Sequence, residues 1–116
     1  HNNIGNVYMA LDKEDKAFSH YKKALKINPQ YVAAHENFGR LLLRRNNKQE
    51  AMLHFIEVIK NDPYNAPCFN QIGVLFTEKG LYSKAKIFFS RAVEIDSGYI
   101  KARNNLTRLN EMKVKH

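Results

Sequence analysis

Tryptophan is absent from the 116 residues, cysteine occurs once, at Cys68, and glycine and proline are sparse at five and three. So few turn-forming residues argue against a β protein assembled from many short strands. A lone cysteine excludes an intrachain disulfide and leaves the redox compartment undetermined. No apolar run nears the roughly 18 residues that would suggest a membrane span. The richest, Leu41-Leu42-Leu43, is stopped by Arg44-Arg45, so no membrane insertion is expected. The first residues do not read as a signal peptide, and the chain starts without methionine. Also missing are a Gly-rich phosphate loop, an HExxH or GxSxG pattern, and a base at helical spacing from Cys68. Neither an enzymatic activity nor a cofactor is expected.

With 44 % hydrophobic and 26 % charged residues, the composition is that of a globular domain rather than a disordered chain. The net charge of +8 invites a nucleic-acid reading, which its distribution weakens. Residues 1–31 carry five Lys/Arg against three Asp/Glu, 32–65 five against four, and 66–99 four against three. Residues 100–116 carry five against one, so half of the excess sits in the last stretch. Elsewhere cations and acids alternate as on a solvated helical face, and nucleic acid is not the expected partner.

Three short stretches rhyme: Asn3-Ile4-Gly5, Asn37-Phe38-Gly39 and Gln71-Ile72-Gly73, their glycines 34 residues apart both times. A glycine inside a helical pattern costs roughly 1 kcal/mol against alanine, so three at one period suggest a close approach of two backbones. The register extends further. Leu42, Ala51, Phe55, Val58 and Pro63 fall on Tyr8, Ala17, Tyr21, Ala24 and Pro29 one repeat earlier. The first four fall on Phe76, Ala85, Phe89 and Ala92 one repeat later.

Within each copy the spacing predicts two helices and two turns. In the second copy Phe38, Leu41, Leu42 and Arg45 share one helical face, and Ala51, Phe55, Val58 and Ile59 share the next. Asn46 ends the first helix, with Asp12 and Gly80 as its equivalents, all residue types that tolerate a left-handed backbone. Asn28-Pro29, Asn61-Asp62-Pro63 and Asp96-Ser97-Gly98 end the second helices. This 34-residue pattern resembles the tetratricopeptide repeat across essentially the whole chain. Its small and aromatic sites fall on Phe38, Gly39, Leu42, Ala51, Phe55 and Pro63. His1 and His35 stand where tryptophan is preferred, Phe69 fills that site better, and Val58 replaces an alanine.

The resemblance implies an all-α fold, a right-handed superhelical solenoid of antiparallel helix pairs with about seven helices. Residues 1–31 would form a first repeat with a clipped first helix, 32–65 a second and 66–99 a third. Residues 100–116 would form a capping helix or the first helix of a fourth repeat, with Arg103, Arg108 and Lys113 on its outer face. The mid-helix start favours a longer array, and self-association through Ile4, Val7 and Tyr8 stays open. The compartment is not fixed, although the cytoplasm is slightly favoured.

In tetratricopeptide arrays the first helices line a concave groove, and the position before the core-facing Ile4, Phe38, Ile72 and Leu106 looks into it. Here that position carries Asn3, Asn37, Gln71 and Asn105, similar to the asparagine ladder of superhelical glycosyltransferase repeats. Such carboxamides offer donors and acceptors to an extended peptide backbone, or bond a neighbouring repeat instead. Asn6, Arg40, Arg44, Asn70, Lys101 and Arg108 are expected beside them, as are Val74, Met9, Leu43, Thr77 and Asn104. With Glu36, Glu78 and Glu111 as counterweights, the groove would favour a protein or peptide with scattered acidic groups.

A chaperone-type carboxylate clamp is not expected. Asn6 and Asn37 match it, but Asn2, Pro67 and Gln71 replace the cations it needs. His20 and His54 share a helical phase with Phe88, which marks packing rather than metal binding. The expected function is a non-catalytic interaction scaffold. The alternative is a regulatory or substrate-recruiting segment of a larger enzyme such as a glycosyltransferase.

Overall fold

A computed structural model describes residues 2–114, with side chains described for 2–112; His1 and the side chain of Lys113 lie outside the described residues. Among the described residues there are seven helices and no strand. They are α1 (Asn2–Ala10), α2 (Glu14–Ile27), α3 (Val32–Arg44), α4 (Lys48–Asn61), α5 (Ala66–Glu78), α6 (Tyr82–Ile95) and α7 (Ile100–Val114). The fold is an all-α solenoid of helix pairs. It divides into two compact units, His1–Asp62 with α1 to α4 and Pro63–His116 with α5 to α7.

The helix ends follow from the turn residues. Asp12, Asn46 and Gly80 all have positive φ, at 60°, 60° and 76°. Around each, two backbone hydrogen bonds close the helix in the same way. Asn46 N–H reaches Leu43 O at 2.9 Å and Asn47 N–H reaches Leu42 O at 2.8 Å. The same pair of bonds recurs at Asp12 and Lys13, and at Gly80 and Leu81. This is the Schellman closure, which satisfies carbonyls that a helix end otherwise leaves open. At the other ends Asn28, Asp62 and Asp96 are pulled into extended backbone, φ near −140°. Prolines 29 and 63 impose that on their predecessors. In the third copy the Asp96 side chain accepts Gly98 N–H at 3.1 Å instead.

The repeated glycines meet a different partner from the one their spacing suggests. A Cβ on Gly5, Gly39 or Gly73 would lie 2.6, 2.8 and 2.6 Å from the rings of Tyr21, Phe55 and Phe89. The close approach is therefore backbone to aromatic face, within each helix pair, rather than backbone to backbone. A flat ring can lie on bare Cα, and nothing larger than glycine leaves it room. Around these contacts the alanines 17, 51 and 85 are fully buried, as are Leu41, Leu42, Val58, Ile72 and Leu75.

Two face assignments change. Ile4 is 46 % exposed, whereas its equivalent Phe38 is buried. Phe38 is covered by Phe18 and Tyr21 of the preceding pair, at ring distances of 4.9 and 6.4 Å, and α1 has no preceding pair among the described residues. Arg45 does not join the apolar face of α3. Its guanidinium lies 5.0 Å above the Phe18 ring and pairs with Glu14 and Asp15, so the stem packs while the charge stays wet.

The histidine phase is a packing phase. His20 stacks on Tyr8 at 5.4 Å, His54 on Phe38 at 4.6 Å and Phe88 on Phe76 at 5.4 Å. His35, at the tryptophan site, is buried, and its Nε2 lies 2.7 Å from Pro29 O. A carbonyl only accepts, so Nε2 carries the proton. Nδ1 of His35 then accepts from Nδ1 of His54, 3.0 Å away. Burial and the neighbouring His35 push His54 below the usual histidine range, against the pull of Glu50 and Glu57.

Candidate functional site

In the first unit, α1 and α3 present the expected polar residues side by side. Asn37 is half-buried and donates through Nδ2 to Asn2 Oδ1 at 3.0 Å. Asn2 is only 4 % exposed, so this bond laces the two helices together. One N–H of Asn37 remains, and its oxygen accepts from Arg40 Nη1 at 3.5 Å. Arg40 also pairs with Glu36 at 3.1 Å, one turn back on α3. Asn3 and Asn6 are exposed, and the Asn6 oxygen accepts from the Tyr21 hydroxyl at 2.6 Å. Burial raises the Tyr21 phenol above its ordinary pKa, an effect the Arg40 charge partly offsets. Arg44 is drawn to Asp12 at 3.4 Å and Glu14 at 3.1 Å. Both arginines of this face thus have acidic neighbours within their own unit.

In the second unit, α5 and α7 repeat the lacing. Asn105 Nδ2 donates to Asn70 Oδ1 at 3.0 Å, and Asn70 is 7 % exposed. Asn70 is therefore a buried strut rather than an exposed flank, while half-buried Gln71 and exposed Lys101, Asn104 and Arg108 remain reachable. Among the described residues neither Lys101 nor Arg108 has an ion-pair partner. Between the helices of this unit lies a hollow of about 160 Å³, walled by Val74, Phe89, Leu109 and Met112 and edged by Glu78 and Arg108. A more polar trough of about 380 Å³, past Gln71 and Lys101, shares Val74, Asn105 and Arg108 with it.

Asn2 was invisible to periodicity, because it sits at the chain's edge and its partner comes from another helix. The signal that could have found it is a spacing of 35 between asparagines, Asn2 with Asn37 and Asn70 with Asn105. The walls Leu109 and Met112 likewise depend on how α7 packs. Among the described residues no three His, Cys, Asp or Glu side chains gather where a metal ion could be held, and the single thiol, Cys68, is buried.

This geometry agrees with what the chain resembles. Tetratricopeptide-repeat models match residues 1–31, 20–52 and 66–99, and the chain belongs to that family. No curated protein matches the sequence. Among solved structures, MamA superposes with a TM-score of 0.88 at 20 % identity, over 97 % of this chain and 66 % of its own. The first tetratricopeptide domain of Spaghetti (RPAP3), bound to the HSP90 peptide SRMEEVD, gives 0.86 at 18 % identity, over 97 % and 90 %. YrrB, a tetratricopeptide protein with an unusual peptide-binding site, gives 0.76 at 26 % identity, over 86 % and 52 %. The chain thus spans about two thirds of MamA and about half of YrrB. Together the repeats and their neighbours define a tetratricopeptide-repeat solenoid.

Proposed function

We propose that the α1–α3 face and the α5–α7 face each bind an extended peptide segment of a partner protein, without catalysis. The observation that carries this reading is the pair of half-buried carboxamides, Asn37 and Asn105, each donating one N–H to a buried asparagine and each keeping a second N–H, with the Asn37 oxygen shared with Arg40. A peptide backbone offers an acceptor and a donor per residue, so a fixed carboxamide meets it without losing side-chain freedom. The peptide-bound RPAP3 domain and YrrB support the use of this fold for such ligands. Each bond adds only about 0.5–1.5 kcal/mol net, so binding to either face alone is expected to be micromolar or weaker. A grip on a terminal carboxylate is not part of the proposal, since Asn2, Pro67 and Gln71 stand where that grip needs cations.

The test is a partner pull-down with Asn37→Ala plus Asn105→Ala, against Asn2→Ala plus Asn70→Ala and the unaltered chain. Loss of partners in the first variant alone, at unchanged helicity by circular dichroism, is expected. If both variants lose partners alike, the asparagines are struts and nothing more. Partners retained by the first variant would place binding on another surface.

A further inference from the structure

The two faces differ in what their cations and their floors offer. In the first unit Arg40 and Arg44 are engaged by Glu36, Asp12 and Glu14. In the second unit Lys101 and Arg108 are exposed and without ion-pair partners among the described residues. Arg108 edges the 160 Å³ hollow and the trough beside it at once.

The hollow itself is apolar. Phe89 and Leu109 form its buried wall, with Val74 and Met112 packed against them. Thr77 is the small polar residue in its lining, and its hydroxyl already donates to Gly73 O at 2.9 Å. Away from the edge formed by Glu78, Asn105 and Arg108, water against these walls finds few partners, and an apolar cavity of about 150 Å³ is large enough for a benzene-sized group. One leucine- or methionine-sized side chain therefore fits, whereas a second does not.

We infer that the α5–α7 face recognises a peptide carrying one medium apolar side chain next to acidic residues. The apolar group fills the hollow, and Arg108 with Lys101 takes the adjoining carboxylates. This rests on the peptide-binding reading above and adds the sequence class of the ligand. Charge complementarity selects the occupant: a basic segment would bring its cations against Lys101 and Arg108, and an uncharged one would leave both guanidinium and ammonium without partners.

A positional-scanning library of capped seven-residue peptides, read by fluorescence on the intact immobilised chain, tests it. The expected result is enrichment of Leu or Met at one position, with Asp or Glu within two positions of it. Replacing that Leu by Ser should weaken binding about tenfold, the scale of one buried aliphatic group. Val74→Phe, which fills the hollow, should erase the apolar preference, and Arg108→Glu, on the exposed edge, should reverse the acidic one. Lys26→Glu, an equal charge change on α2, should do neither. If peptides bind with no apolar or acidic preference, this inference fails and the broader reading stands. If no peptide in the library binds, both fail. Preferences that survive both Val74→Phe and Arg108→Glu would place the recognition elsewhere.

Discussion

Gly39 and Gly80 are both glycines in a helical context, yet a methyl group would harm them for different reasons. At Gly39 the backbone is ordinary helix and the obstacle is the Phe55 ring, 2.8 Å from where Cβ would stand. At Gly80 nothing lies within 4 Å, and the obstacle is φ at +76°. Gly39→Ala should therefore destabilise by about 1–3 kcal/mol through overpacking, partly offset by about 1 kcal/mol of helix propensity. Gly80→Ala should cost about 1–2 kcal/mol through backbone strain. Urea denaturation separates the causes. Phe55→Leu should relieve the first variant in a double mutant, and the residue standing at the equivalent position of the second repeat, asparagine, should be tolerated at position 80. The same scale shows what periodicity conveys and what it misses. It marked Gly39 as a contact position, yet the identity of the contact, a ring from the second helix, needed three dimensions.

Among the elements, α3 and α4 carry a pH response. His35 is pinned between the Pro29 carbonyl and His54. In the unfolded chain His54 titrates near the ordinary value of about 6.5; in the fold it titrates lower, mainly through burial and then through His35, with Glu50 and Glu57 opposing. The folded state thus binds fewer protons, and stability rises with pH where the unfolded state holds more. The contribution is full above about pH 6.5 and is lost as pH falls through the lowered folded value. Denaturation midpoints measured from pH 7.5 to pH 5 should fall. His54→Phe, which copies Phe88 at the same phase, should flatten that fall. Elements also set the limits of foresight. Asp12, Asn46 and Gly80 were readable as helix ends because turn chemistry is local. Ile4 falls on the core phase by periodicity and on an open end by position, and only the packing decides between them: its equivalent Phe38 is buried by rings from another helix pair, whereas Ile4 is 46 % exposed.

Taken whole, the molecule carries a net +8, yet half of that excess sits in residues 100–116, and among the described residues Arg40, Arg44, Arg45, Lys60 and Arg91 are answered by acids nearby. Binding of a labelled uridine homopolymer, followed by anisotropy, should accordingly be undetectable at about 0.15 M salt, where screening shortens charge interactions to about 8 Å. A steep salt dependence at that ionic strength would contradict this. Repeat architecture was legible throughout the chain because local periodicity encodes it. The candidate faces were legible only as lists of polar residues. Which carboxamide is a strut, as Asn70 is, and which cation is already engaged, as Arg44 is, depends on neighbours one repeat away.

The glycine and the aromatic ring of each pair also constrain how such a gene can change. Between copies the ring gains or loses a hydroxyl, Tyr21 against Phe55 and Phe89, because that oxygen points past the glycine to a neighbour such as Asn6. A methyl on the glycine has no such outlet. Either partner altered alone leaves a clash or a void, so the two halves of one repeat constrain each other, and a breakpoint placed between them would leave each half without the surface it packs on.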